Sequence, residues 1–382
     1  MDWRCGLLER HPLGRVATEV MQAAMAAVQP RALMLAWARQ HLQGAERIRV
    51  LAMGKAAAEM TRGLLDAVDD RVMSGTAVLK HAAELPGLEV MLGDHPVPGQ
   101  RSLEAGAAML HAAASAKPGD TVVALVSGGS SALLEVPASG VTLDDIAAMT
   151  KARLRDGAPI EALNEVRRRG SALKGGGLAR AIASGVTVHV VVLVDILDAP
   201  PHVVGSGPFD DPRVRTHVLA DNAQAVQAAA RAARALGADV EVTAPLRGEA
   251  QVEGARWAQA RMMAPPTDAV RCTIAGAETV VSVRGDGQGG RNQEFALAAA
   301  PALMHNRHAL LVSVATDGED GPTDAAGAAV DGTTIMRALE GGFDPNEHLK
   351  RNDCYPLLDA LGDLLKPGPT GTNVCDLAIA FS

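Results

Sequence analysis

Residues 120–135 read DTVVALVSGGSSALLE. The apolar, β-branched start predicts a strand, and Ser127, Gly128, Gly129, Ser130 and Ser131 then turn it into a helical segment. A strand that feeds a helix through a small-residue corner is the repeating unit of an α/β sheet. A tight turn needs one glycine or two. Five small residues at that place also leave backbone N–H groups bare, which suits an anion. Taken alone, an ordinary turn with an N-cap serine explains the corner as well. It is not a Walker loop, because no Gly-Lys-Ser/Thr follows.

Working outward, the same grammar recurs. RIRVLAMGKAAAEM (47–60) is a short strand, a Gly-Lys corner and a helix. TAVLK, LEVML and VTVHVVVLVDI are further apolar runs, separated by helical patterns at 102–116, 142–156 and 172–184. Near-continuous apolar strands alternating with helices predict a Rossmann-like, doubly wound parallel sheet with ligands at the carboxyl ends of its strands. After about residue 214 the pattern changes. A helix over 221–237, a strand from 238, a helix over 249–264, a helix over 292–304 and a closing strand CDLAIAF predict a smaller α/β domain with a mixed sheet. RCTIAGAETVVSVRG (271–285) reads as a hairpin with Ala-Gly-Ala at its turn. The expected division is 1–213 and 214–382, with a cleft between the two domains.

Composition excludes several classes. With 382 residues, 48% hydrophobic and 21% charged, the chain is globular and long enough for two or three domains. Aromatics are 2% and the net charge is -8, so nucleic-acid binding is not expected. The four cysteines are scattered, with no C-x-x-C, which argues against a disulfide framework or zinc site and fits reduced thiols in the cytoplasm. Neither a signal peptide nor a membrane-spanning run is visible.

The candidate chemistry lies at the corners. Lys55 sits where a strand meets a helix N-terminus, a poor place for a cation unless an anion is near. His95 precedes a stiff Pro-x-Pro turn that can fix an imidazole at a cleft edge. In LNEVRRRGSALKGGGLAR, Asn164, Arg167, Ser171 and Lys174 would share one helical face suited to anion capture. Asp195 ends the most apolar strand, where a base or metal ligand is useful. Arg291 joins a Gly-rich loop to a helix and suits bidentate binding of phosphate or carboxylate. Asp317 and Asp320, in a glycine-containing loop, could hold Mg²⁺ through water. Each has a bland reading as a solvated turn, a capping residue or a buried structural group; His189, inside its strand, reads as structural. Together they match what phosphoryl transfer needs: anion-binding loops, cations, a divalent metal and a base.

Eight ordered stretches, among them MGKAAAEM, DHPVP, LVSGGSSALLEVPASGVTL, GGRNQEFALA, ATDGEDGPTDAAGA and GPTGTNVCDL, resemble the glycerate 2-kinase family with the MOFRL C-terminal domain, over nearly the whole chain. The resemblance implies ATP- and Mg²⁺-dependent phosphorylation of D-glycerate, typically to 2-phosphoglycerate. It makes Lys55, Asp195 and Arg291 catalytic, and lets Ser127, Gly128, Gly129, Ser130, Ser131, Asn164 and Lys174 hold the nucleotide. Lys55, His95, Arg167 and Arg291 would meet the substrate, and Asp195 and Asp317 the metal. A hydroxypyruvate reductase label, also used in the family, lacks support, because no dinucleotide fingerprint follows the first strand. The partners implied are small molecules, with a homodimer compatible. The chain departs from the family at Val194 (usually Ser), at Asp198-Ala199-Pro200 (usually Gly-Asp-Pro), at Ser130 (usually Gly) and at Cys375 (usually Asn). Those beside Asp195 leave a second reading, a degenerate member that binds a sugar acid or nucleotide in a regulatory role.

Overall fold

A computed structural model describes residues 3–155, 168–263, 269–304 and 306–382. The chain divides into two compact units. One comprises Gln29–Asp221 with Gly371–Asn373, the other Met1–Val28, Asn222–Thr370 and Val374–Ser382.

The first unit is built on six parallel strands: β1 (Ile48–Met53), β2 (Val72–Leu79), β3 (Glu89–Leu92), β4 (Thr121–Val126), β5 (Thr187–Leu193) and β6 (Arg215–Ala220). Their spatial order is β3-β2-β1-β4-β5-β6. This is the doubly wound order expected, and it reverses direction between β1 and β4. Strands β4 and β5 are buried almost throughout because both faces carry cover. With few aromatic residues to use, the packing on the sheet rests on Val122, Ala124, Val126, Val188, Val190 and their neighbours.

The second unit holds β7 (Asp239–Val242), β8 (Leu246–Glu249), β9 (Arg271–Val280), β10 (Leu310–Ala315), β11 (Gly327–Asp331), β12 (Leu364–Leu365) and β13 (Asp376–Phe381). The order is β12-β11-β10-β13-β9-β7, with β8 also paired to β9, and the sheet mixes parallel and antiparallel pairs. The helix Arg291–Leu303 is buried on nearly every side, from Asn292 through Phe295 to Leu303. A helix enclosed all round belongs in a core.

Two expectations change. The stretch 271–280 is no hairpin but one continuous strand, β9. Gly276 lies mid-strand, where a Cβ would stand 1.8 Å from Asn222 Oδ1. The glycine is there for close approach rather than for a turn. The division at 213/214 also changes, since residues up to Val28 group with the second unit. The reason is packing: the helix Gly14–Ala27 lies along the helix Asn222–Ala235. It buries Ala17, Val20, Met21 and Ala24 at helical spacing. No helix among the described residues is long and apolar enough to cross a membrane.

His189 is a buried structural group, as its place in a strand suggests, but it is not isolated. Its Nδ1 lies 3.1 Å from His217 Nε2 on β6. Trp37 stacks on His41 at 4.9 Å and meets both strand imidazoles edge-on. Burial first, then His217, Arg215 and His41, push His189 down to about 4. Burial and the same cationic neighbours lower His217. A base whose pKa is depressed on folding stabilises the fold above its unfolded value and loses that contribution as pH falls. Thermal melts should therefore drop between the ordinary histidine value of 6.5 and about 4. His189→Leu should show a shallower drop over the same window.

Candidate active site

The reversal point of the parallel sheet is where the singled-out corners meet. Gly54 and Lys55 follow β1, and Ser127–Ser131 follow β4 beside it. The two corners are sewn together: the Lys55 N–H donates to Gly128 O at 2.9 Å, and the Ser127 N–H to Met53 O at 3.0 Å. The Ser127 hydroxyl accepts the Ala56 N–H at 3.1 Å and donates to Met53 O at 3.3 Å.

Asp195 lies two residues beyond β5, the strand next to β4. A Cβ at Gly128 would stand 1.7 Å from Asp195 Oδ2 and 3.0 Å from Asn373 Nδ2. From the Cβ position at Gly129, Lys55 Cγ is 3.3 Å away and His95 Nε2 is 3.5 Å away. Lys55, His95, Asp195 and Asn373 thus border a strip of bare backbone. Gly129 has φ of 82°, in the left-handed region. The N–H groups of Gly128, Gly129, Ser130 and Ser131 donate to no backbone carbonyl among the described residues. A cation, a carboxylate and unpaired amides around an uncrowded loop can hold a phosphate and orient a hydroxyl beside it.

Not every expected donor is available. Ser127 is fully buried and its hydroxyl is spent on the corner. The Ser131 hydroxyl is bonded to Ser206 at 2.7 Å. Ser130 Oγ is buried with no partner among the described residues, the one hydroxyl of the three left over. Lys174 is 3% exposed and bound to Glu135, whose other oxygen accepts the Ser171 hydroxyl. That ammonium serves a buried ion pair instead of an open anion site. Asn164 and Arg167 lie outside the described residues.

In the second unit, Arg291 opens its helix and pairs with Asp376 at 2.5 and 2.7 Å, two parallel bonds of the fork type. Asp376 is fully buried. Asp376 first, then Asp320 and Asp317, raise the guanidinium's pKa further and keep it charged. Asp320 is no candidate metal ligand: its two oxygens accept the N–H groups of Asn292 and Gln293, each at 3.0 Å, and cap the helix. Burial pushes it up to about 6. Asp317 accepts the Glu319 N–H at 3.1 Å and is half-buried.

Two departures acquire reasons. Asp198 has φ of 56° and Cys375 has φ of 65°, both left-handed. The resemblance places Gly and Asn there, the residues that tolerate this region best. Ala199 then leaves no carboxylate at the following position. Among the described residues no group of three or more His, Cys, Asp or Glu side chains gathers as a metal cage. Mg²⁺ is ordinarily held by one or two carboxylates plus substrate phosphates, and Asp195 beside the loop fits that use.

The family DUF4147, described as a domain of unknown function, matches residues 16–242, and the MOFRL family matches residues 271–376. A D-glycerate 2-kinase of Thermotoga maritima is 33% identical over 98% of this chain and 100% of its own. This chain belongs to the glycerate 2-kinase family that carries a MOFRL domain. A crystal structure of a glycerate kinase from Thermotoga maritima superposes with a TM-score of 0.86 at 32% identity, covering 96% of this chain and 98% of that one. A relative from Agrobacterium vitis named putative hydroxypyruvate reductase is 34% identical over 87% of this chain and 98% of its own.

Sequence reasoning missed Asn373 and Asp376. Both lie in GPTGTNVCDL (368–377), a stretch that only the resemblance singled out. No charge pattern or glycine corner marks them, and their neighbours are distant in sequence.

Two variants test the geometry. Gly128→Ala should lower kcat/KM by ~10²-fold or more by displacing Asp195, while circular dichroism stays unchanged. Lys174→Met should cost about 3–5 kcal/mol in denaturant melts by leaving Glu135 buried and unpaired, and adding Glu135→Leu should recover most of that loss. If Lys174 bound the nucleotide instead, the double variant would show a raised KM for ATP.

Proposed function

We propose that the protein transfers the γ-phosphoryl group of ATP to D-glycerate, giving 2-phosphoglycerate and ADP, with a divalent cation. One observation carries this reading: Lys55, His95 and Asp195 border the bare Gly128–Gly129 strip at the carboxyl edge of the parallel sheet. The relatives named as glycerate kinases support the substrate class. The nucleotide supplies the phosphoryl group, and the cation offsets its charge.

Each residue's work follows from its chemistry. The amides of Gly128–Ser131 and the Lys55 ammonium bind phosphate oxygens and balance charge as it shifts toward the leaving group. Asp195 accepts the proton of the substrate hydroxyl as its oxygen forms the new bond to phosphorus and the bond to ADP breaks. His95 meets the acid at the exposed rim. Arg291, its guanidinium held by Asp376 in the second unit, is suited by its chemistry to bind a carboxylate or a phosphate. Asp195 is the carboxylate that the parallel-sheet unit offers to the metal.

The replacement of a carboxylate by Ala199 favours a second reading, a binding protein that takes a sugar acid or nucleotide without turnover. Calorimetric binding of D-glycerate or ATP with no ADP formed, at any divalent metal supplied, would select it.

An ADP-release assay with D-glycerate should show Lys55→Ala and Asp195→Asn each slowed by ~10²-fold or more, because transfer depends on positioned charge. Turnover at the unaltered rate in both variants refutes the assignment. Phosphorus NMR of the product without proton decoupling fixes the position: phosphate on carbon 2 couples to a single neighbouring proton, and on carbon 3 to two.

A further inference from the structure

We infer that Asn373 is a substrate-contacting residue that reads the hydroxyl of the acid that is not phosphorylated. The inference rests on the reading of Asp195 given above.

The residue arrives from far away in sequence. Gly371–Asn373 group with the parallel-sheet unit, although Thr370 and Val374 on either side group with the other. Gly371 packs against the Glu59 side chain, on the helix Ala57–Val68 that follows the Lys55 corner. Thr372 is buried. The flanks are fixed in their own unit: Thr370 Oγ1 donates to Thr316 O at 2.5 Å, and the Val374 N–H donates to Thr316 Oγ1 at 2.8 Å. Asn222 Nδ2 donates to Val374 O at 2.8 Å and to Asp376 O at 2.9 Å.

The place of Asn373 is the active loop. The Cβ position at Gly128 is 1.7 Å from Asp195 Oδ2 and 3.0 Å from Asn373 Nδ2, so carboxylate and amide border the same small volume. The Asn373 side chain is half-buried and has no hydrogen-bond partner among the described residues. Asn222, Asn292 and Asn352, by contrast, are all committed to neighbours. An amide suits this position because it donates two hydrogen bonds and accepts others without adding a further charge beside the carboxylate. A small acid with hydroxyls on adjacent carbons presents two oxygens to this gap. Asp195 takes the reacting one and Asn373 takes the other. A site that hydrogen-bonds a substrate hydroxyl rejects the analogue lacking it, because its own polar group is left unpaired.

The test compares D-glycerate with D-lactate, which lacks the second hydroxyl, in the ADP-release assay. The wild type should favour glycerate strongly. Asn373→Ala should lower kcat/KM for glycerate by about tenfold to a hundredfold, leave that for lactate nearly unchanged and leave the KM for ATP unaltered. The glycerate-to-lactate ratio therefore falls. Asn373→Asp, equal in shape, keeps the acceptor but loses the N–H donors and should likewise lower the glycerate-to-lactate ratio. It also stands in should the alanine variant fold poorly. An equal loss on both acids, a raised KM for ATP, or no loss at all overturns the inference. If Lys55→Ala and Asp195→Asn keep full turnover, the reading of the site itself fails. If they lose it while Asn373→Ala does not, only the role of Asn373 fails.

Discussion

The structure of the Gly-Ser loop depends on one crossing of backbones, the stitch between the end of β1 and the end of β4. The Lys55 N–H on Gly128 O, the Ser127 N–H on Met53 O and the Ser127 hydroxyl on the Ala56 N–H hold two corners edge to edge. That contact exists because the strand order reverses between these neighbours, so that their following helices leave on opposite faces of the sheet and open a crevice. With the corners locked, little backbone freedom remains to be lost when a ligand binds, which is the advantage of a preformed site.

The stitch also dictates which side chains are tolerated. Asp195 Oδ2 occupies the space a Cβ at Gly128 would need, so the glycine and the carboxylate are a matched pair. The serines around them are mostly mortar. Ser127 satisfies the backbone of the β1 corner and Ser131 bonds the Ser206 hydroxyl, and of the three serines Ser130 keeps a hydroxyl without a partner among the described residues. Lys174 with Glu135 does similar work deeper down, where neither charge can be removed singly without cost.

In the second unit a different constraint organises the polar groups. Arg291 is a cation at a helix N-terminus, an unfavourable place that two buried carboxylates make tenable. Asp320 takes the helix's first N–H groups, and Asp376 takes the guanidinium. Asp376 is in turn set by Asn222 and by Thr316, which accepts the Val374 N–H and donates to Cys375 O at 2.6 Å. The left-handed Cys375 lies in the middle of this arrangement, a strain kept because both neighbours are bonded in place.

What the amino-acid order alone determined is local. Apolar runs of strand length, glycine corners and helix periods set the parallel sheet and placed Lys55, the Gly-Ser loop and Asp195 at its carboxyl edge, because those signals act within about ten residues. The folded chain decided what depends on distance. Gly276 reads as a turn until Asn222 is beside it, and the first helices join the second unit only because the helix Asn222–Ala235 offers them an apolar face. Lys174 looks like a ligand until Glu135 appears, and Asn373 looks like nothing until Gly128 and Asp195 surround it. The physical reason is the same throughout: a polar group's role is set by its partner and by the water it loses, and neither is written next to it in the sequence.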